Sequence, residues 1–372
     1  MNNYDFWESY LKDVKLKLLE LVKIKKKISI DLHIHSNYSA DGKQTLDEII
    51  KSTNNLGFDI ISITDHDNLD VYDELYNIVN NGITNPIIIP GIEFTIDNSL
   101  YGSQCHLLQL FINPKDKDLI NNVKKNYMAT FNRSKIQFLR LKNNLDLQEI
   151  FRDNHIKVSS NEYFDYLEKN NLVPEYNTIC DYLMSKFKIK GITNYDILNK
   201  LVEYNYLDTY IDRRLLKEKR YDELKVKYKY NKDNFYSTRF LLSLLAVKNV
   251  DDDWWNPPWS GSLSVNSYGQ LKVEELNNKY ITIFAHPTET KLDIVEDIIR
   301  DNKNIRGIEF NIRNDYYNIE LLINLKNKYK LFKTIGSDSH DNSLKFYNNV
   351  DYFSIDSDDL LEIIGTVYGR DN

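Results

Sequence analysis

Seven short, apolar, β-rich runs recur along the chain, each closing on polar residues: Ile28–His35, Phe58–Thr64, Ile87–Thr95, Cys105–Ile112, Tyr280–His286, Ile305–Ile312 and Leu331–Gly336. Near-continuous apolar runs of this length suit strands buried on both faces. Helical patterns lie between many of them. Thr45–Leu56 opens with Thr45 as N-cap and Glu48 in the capping-box position. Asp70–Asn80, Leu292–Asp301 and Asp315–Lys328 are also helix-like. Strand and helix in alternation predict parallel βαβ units, and seven strands suggest barrel-like closure. The expected fold class is therefore α/β, a seven-stranded (β/α) barrel.

The rhythm breaks between residues 115 and 275. That stretch holds helix signals at Lys124–Asn143, Cys180–Lys188, Asp196–Tyr204, Asp212–Lys227 and Thr238–Val247, followed by the turn-rich aromatic segment DDDWWNPPWSGSLSV. It reads as a large, mainly helical insertion. Residues 115–270 carry 26 basic and 21 acidic side chains, a balance of +5 in a chain of formal charge −7, so the insertion differs electrostatically from the rest. The expected organisation is an N-terminal helix (1–26), a first part of the barrel (27–114), the insertion (115–275) and a second part of the barrel (276–372). No internal repeat or low-complexity tract is evident.

At 372 residues the chain can bury a full α/β core and carry a second lobe. No apolar run reaches the length of a membrane span. The amphipathic, acid-containing start, MNNYDFWESYLKDVKLKLLELVKIKKK, has neither a signal-peptide apolar region nor a small-residue cleavage site. Two cysteines, Cys105 and Cys180, cannot form a disulfide framework. A cytoplasmic location and no membrane partner are expected. The net negative charge argues against wholesale coating of nucleic acid, without excluding a local basic patch.

Six of the seven histidines fall at the ends of the strand-like runs. His33 and His35 lie in DLHIHS, His66 in TDHD, His106 opens HLLQLFI, His286 lies in AHP and His340 in GSDSH; only His155 lies in the insertion. Catalytic residues of α/β barrels gather at strand C-termini. In extended chain, residues i and i+2 face one side, so His33 and His35 aim at one point, as do Asp338 and His340. Glu93, in GIEFT, and Asp41, in ADG, could bridge or terminate a metal cluster. Imidazole and carboxylate without a thiolate run suit Mn²⁺, Zn²⁺ or Fe²⁺. Singly, each motif has a bland reading: Asp338 as a helix N-cap, Asp41–Gly42 as a turn, His286–Pro287 as a strand end. Five segments sharing one placement resist it.

In the order HxH, DG, TDH, GIE, HLL, AHP and GSDSH, these motifs resemble the polymerase and histidinol phosphatase (PHP) superfamily over residues 27–114 and 276–372. The resemblance implies a distorted seven-stranded (β/α) barrel of PHP type and up to three divalent metal ions, with Mn²⁺ first among candidates. It implies His33, His35, Glu93 and Asp338 around one ion. Glu93, His106 and His286 would hold a second, and Asp41, His66 and His340 a third. Asp41 follows His35 by six residues where many members have five. His33, His35, Glu93, Asp338 and His340 are the expected catalytic core. Clustered cations lower the pKa of a bound water enough to give hydroxide at neutral pH, and neutralise charge developing on phosphoryl oxygens. Asp65 is expected either to orient an imidazole or to cap the following helix. Glu309, in GIEFN, either touches the site or is a buried structural carboxylate.

The expected function is metal-dependent phosphoester hydrolysis on nucleic acid or nucleotides, as by a nuclease. A small-molecule phosphatase of the histidinol-phosphate type is the alternative, and a non-catalytic binding module the third. Arg133 and Lys135, in NRSKIQFLR, are candidate phosphate contacts or an ordinary solvated helix face. Arg213, Arg214 and Arg220 lie in a basic run interleaved with Tyr221, Tyr228 and Tyr230, which suits single-stranded nucleic acid or else a salt-bridged helix. Trp254, Trp255 and Trp259 could form a core plug, a substrate wall or a docking surface. No GxxxxGK[ST] motif occurs, so an ATPase that presents a substrate would be a separate chain.

Overall fold

The computed structural model describes residues 3–39, 41–80, 82, 85–97, 105–143, 145–170, 176–189, 269–290, 292–311, 319–341 and 353–369. The chain forms two compact units, one from Met1–Met128 with Gly269–Asn372, the other from Ala129–Tyr268. No described helix is long and apolar enough to cross a membrane.

The first unit opens with α1 (Asn3–Ile24), followed by β1 (Lys27–Ile34), α2 (Leu46–Leu56), β2 (Ile60–Ile63), α3 (Val71–Asn80), β3 (Ile87–Ile96) and β4 (Cys105–Leu110). Helix α4 (Lys117–Asn143) runs from this unit into the second. The second unit adds α5 (Leu145–Asp153), α6 (Ser160–Asn170) and α7 (Tyr176–Ile189). The barrel then resumes with β5 (Ile281–Phe284), α8 (Leu292–Asp301), β6 (Ile305–Asn311), α9 (Ile319–Tyr329), β7 (Phe332–Gly336), β8 (Ser354–Asp356) and α10 (Ser357–Tyr368). All seven expected strands are present. Together with β8, which was not expected, they build an eight-stranded, nearly closed α/β barrel in the order β7-β6-β5-β4-β3-β2-β1-β8.

The local signals behave as their chemistry requires. Thr45 and Glu48 form the reciprocal capping box at the start of α2, and Gly57 ends that helix at φ 80°, a left-handed conformation that glycine adopts without a Cβ penalty. Residues Trp7, Val14, Leu18 and Leu21 of α1 form one buried stripe. Strands β2 and β5 are buried at every position, as expected of strands covered on both faces.

Two features depart from the uniform parallel series. Strand β4 is antiparallel to both β3 and β5, whereas β1, β2 and β3 run parallel, as do β5, β6 and β7. The link from Ile96 to Cys105 is too short for a parallel crossover, which needs a dozen or more residues. The reversal carries the first residues of β4 to the end of the barrel where the other strands finish. The eighth strand, β8, has only three residues and no apolar run to announce it. It pairs antiparallel with the start of β1, through Lys27–Ser29. Beyond that point the chain after β7 takes over the same edge: Asp338 N–H donates to His33 O at 2.9 Å and His35 N–H to Ser339 O at 2.9 Å. This closes the edge beside His33 of β1 and His35, which follows it.

The described part of the second unit is helical. Tyr163 lies at its centre, its ring stacked on Phe138 at 4.6 Å and its hydroxyl 3.1 Å from Ser134 and from Thr178. Helix α4 begins seven residues before the expected start, and α5 and α6 carry helix where none was marked. The expected helices at 196–204, 212–227 and 238–247, and the aromatic segment with Trp254, Trp255 and Trp259, lie outside the described residues.

Tyr72 of α3 is fully buried against β2 and β3. Its hydroxyl accepts from Gly91 N–H at 2.6 Å and has the carbonyls of Ile63 and Gly91 at 2.8 and 2.6 Å for its own proton. Tyr72→Phe leaves these buried backbone groups without a partner and should lower the unfolding free energy by about 1–3 kcal/mol. Urea unfolding at unchanged m-value checks this.

Candidate metal centre

Each strand delivers its side chains for a local reason. At the end of β1 the two-residue period points His33, and His35 just beyond the strand, to the same side, and both are fully buried. His66 follows the end of β2. Glu93, from β3, is also fully buried. His106 enters from the second residue of β4, which the strand reversal places at this end. His286 follows β5 at φ 25° and Asp338 follows β7 at φ 52°. Two of the converging residues therefore sit in strained backbone, as is common where a site overrides local preference.

The Glu93 carboxylate is the hub. Its Oε2 lies 3.0 Å from His33 Nε2 and 3.1 Å from both His35 Nε2 and His66 Nδ1. Its Oε1 lies 3.1 Å from His106 Nδ1 and 3.0 Å from His286 Nε2. Asp338 Oδ1 is 3.1 Å from His35 Nε2 and 3.5 Å from His33 Nε2. Asp41 Oδ2 is 3.1 Å from His340 Nε2 and 3.7 Å from His66 Nε2. All nine residues expected around metal therefore converge, and the longer spacing before Asp41 does not remove it from the group.

Hydrogen bonds alone cannot satisfy this arrangement. A carboxylate offers about four lone-pair directions, yet five imidazole nitrogens lie within 3.1 Å of Glu93. The nitrogens also face one another: His33 Nε2 and His35 Nε2 are 3.1 Å apart, as are His106 Nδ1 and His286 Nε2. His66 Nδ1 is buried and, although 3.1 Å from Glu93 Oε2, makes no hydrogen bond. Two donors each about 2.1 Å from a tetrahedral ion lie about 3.4 Å apart, and the donors here stand 3.0 to 3.7 Å from their neighbours. Three donor groups have this compactness: His33, His35, Glu93 and Asp338; His66, Glu93 and His106; and His35, Asp41, His66 and His340. His286 adjoins the second through Glu93 and His106. Nitrogen and oxygen donors of this kind fit divalent cations. Cys105 is no part of it: it belongs to the hydrophobic core, where burial pushes its thiol up to about 12.

A layer of hydrogen bonds fixes the donors. Glu309 Oε1 is 2.9 Å from His33 Nδ1, leaving Nε2 to face Glu93, and Glu309 Oε2 accepts from His286 N–H at 2.6 Å. The open question about Glu309 is thus answered by contact with the site. Gly336 makes room for it: a Cβ there would stand 2.0 Å from Glu309 Oε1 and 2.4 Å from His33 Cβ. Asp31 accepts from the Ser337 N–H at 3.0 Å, shaping the turn that carries Asp338. His340 Nδ1 lies 2.8 Å from the Asp338 carbonyl, so the proton belongs on Nδ1 and Nε2 is free to face Asp41. Ser39 Oγ donates to Asp41 at 2.9 Å.

Asp65 departs from both readings made of it. It binds no imidazole, and α3 starts too late for it to be the cap. Its carboxylate accepts from the backbone and the hydroxyl of Ser36, both at 2.6 Å, and so anchors the turn after His35. Arg133 and Lys135 lie on α4 in the second unit; Lys135 is exposed, and the Arg133 side chain lies outside the described residues. Arg213, Arg214 and Arg220 lie outside them too.

Burial opposes charge on Glu93, Asp41, Asp338, His33 and His35, yet attraction among them prevails. Glu93, Asp41 and Asp338 are held well below the usual carboxylate range by the surrounding imidazoles. Burial lowers His35, but hydrogen bonds to Asp338 and Glu93 outweigh it and raise it to about 10; His33 is raised likewise by Glu93, Glu309 and Asp338. His66 is dominated by burial and falls to about 3.

Raised imidazoles are protonated at neutral pH in the metal-free protein and must deprotonate to bind a cation. Metal binding should therefore release protons and strengthen as pH rises from 6 towards 9. Calorimetric titration in buffers of different ionisation enthalpy measures the release directly. Gly336→Ala should displace Glu309 and His33 and weaken metal binding by about 10–100-fold, read as metal content after equilibrium dialysis.

A family model described as the PHP domain matches residues 31–244. No curated protein matches the chain. Among solved structures, that of a protein from Bifidobacterium adolescentis assigned as a metal-dependent phosphoesterase is similar at 15% identity and TM-score 0.54, covering 91% of this chain and 96% of that one. An amidohydrolase from Chromobacterium violaceum aligns at 15% identity and TM-score 0.47, over 88% of this chain and 98% of its own. The first likeness is one of fold. The family match covers more than half of the chain and takes in His33, His35, Asp41, His66, Glu93 and His106. On that match, the chain belongs to the PHP domain family.

Proposed function

We propose that this chain is a metal-dependent phosphoesterase acting on nucleic acid or nucleotides, as a nuclease would. The observation that carries the reading is the Glu93 carboxylate shared between two sets of imidazoles, His33, His35 and His66 on one oxygen and His106 and His286 on the other. A shared carboxylate is the natural bridge between adjacent divalent ions. His33, His35, Glu93 and Asp338 would hold one ion, Glu93, His106 and His286 a second, and Asp41, His66 and His340 a third. When bound, such ions supply Lewis acidity toward a phosphoryl group and lower the pKa of water.

The residues of the chain do the rest. The buried histidines exclude bulk water from the inner side of the cluster. Glu309 holds His33 in one tautomer and orientation. Asp41, His340 and His106, all partly exposed, form the parts of the cluster that solvent reaches. Mn²⁺ heads the candidate ions, with Zn²⁺ and Fe²⁺ next. The preference for nucleic acid or nucleotides over a small phosphate ester draws on the size and basic balance of the 115–275 insertion, since a small substrate needs little extra surface. An ATPase that presents nucleic acid would be a separate chain.

Protein loaded with Mn²⁺ should cleave labelled single- or double-stranded DNA or RNA, or release phosphate from 3′,5′-nucleotides. His33→Ala and chelation should each reduce turnover to background with the fold retained. Turnover of histidinol phosphate alone would sink the nuclease reading, and absence of both bound metal and metal-stimulated hydrolysis would sink the phosphoesterase reading. Replacing Arg213, Arg214 and Arg220 by Ala should weaken single-strand binding and reduce the slope of log K against log salt by about 2. An unchanged slope returns that run to the solvated-helix reading.

A further inference from the structure

Outside the candidate ligands, one side chain spends nearly all its hydrogen-bonding capacity on the segments that carry them. Asn126 of α4 is fully buried. Its Nδ2 donates to Asp67 Oδ1 at 2.7 Å and to the Thr95 carbonyl at 2.8 Å, and its Oδ1 accepts from Leu271 N–H at 2.7 Å. Thr95 N–H also donates to Asp67 Oδ1, at 3.3 Å. An amide within a helix has no propensity reason to be there and is costly to bury unless its bonds are made.

The partners are placed to matter. Asp67 follows His66 directly, stands at φ 46° and donates its N–H to the Glu93 carbonyl at 2.9 Å. Thr95 lies two residues beyond Glu93 and pairs with His106 across β3 and β4. The Asn126–Asp67–Thr95 bonds therefore tie together the backbones that carry His66, Glu93 and His106, which form one of the compact donor groups. The group around His33, His35 and Asp338 is braced by other residues, Glu309 and Asp31.

We infer that Asn126 and Asp67 form a positioning clamp that sets His66 against Glu93 and His106 and so governs occupancy of the two metal positions that His66 and His106 serve, leaving the position of His33, His35 and Asp338 to its own bracing. The inference rests on the metal-centre reading. It makes the two halves of the centre separable: one is braced from within the barrel, the other from α4.

Metal per chain is measured by equilibrium dialysis against graded Mn²⁺, with elemental analysis, for the wild type and for Asn126→Ala, Asp67→Ala and Asp67→Asn. Circular dichroism and urea unfolding report folding. Asn126→Ala and Asp67→Ala should each weaken the binding steps that need His66 or His106 by about 10–100-fold while leaving one step, at His33, His35 and Asp338, in place. Asp67→Asn, whose amide oxygen can accept both bonds, should bind as the wild type does, and the double alanine variant should bind no more weakly than either single one. Loss of stability with every binding step intact, or loss of all steps together, overturns the clamp. Should Asn126→Ala not fold, the contrast between Asp67→Ala and Asp67→Asn decides. A wild type that binds no Mn²⁺ overturns the metal-centre reading itself, a result distinct from failure of the clamp.

Discussion

A carboxylate buried among imidazoles sets the terms for the rest of this molecule. Glu93 is fully enclosed, and five nitrogens approach it within 3.1 Å. An ionised group in that position is tolerated only with opposite charge beside it. With Asp41 and Asp338 close by, the cluster holds more negative charge than hydrogen bonds can compensate. Protons on His33 and His35 answer that demand in part, and divalent cations held by these donors would answer more of it. The requirement explains why strands β1, β2, β3, β4, β5 and β7 all lead toward one point.

Barrel closure and strand reversal meet that requirement together. The chain after β7 pairs with the last residues of β1, so Asp338 and His340 arrive beside His33 and His35. The antiparallel β4 brings His106 to the same end from its first turn instead of its last. A parallel β4 in its place would have left His106 at the far end of the barrel. The core holds these strands in register, and the donors sit at its rim.

Around the donors, ordinary groups carry the alignment. Glu309 holds His33, Gly336 leaves room for Glu309, Asp65 anchors the turn after His35, and Ser39 steadies Asp41. None of these touches the hub carboxylate, yet each limits where a donor can point. Left-handed backbone at His286 and Asp338 is retained at the same rim, where the surrounding bonds over-determine it.

The seven strands and the convergence of nine residues were legible in the chain because both are encoded locally. Apolar runs announce buried strands, and a two-residue period puts His33 and His35 on one side whatever surrounds them. Other features depend on partners far away in sequence. β8 is three residues long and owes its existence to the edge of β1. The direction of β4 is different, for the short link from Ile96 to Cys105 already forbids a parallel crossover. Asp65 and Glu309 are single carboxylates whose neighbours only the closed barrel defines. Asn126 bonds to residues 59, 31 and 145 positions away. The sequence by itself determined which side chains gather as candidate metal donors and which strands lead to them. The tertiary structure alone decided how those side chains are aimed and braced, because aim and bracing come from contacts between segments that no local pattern records.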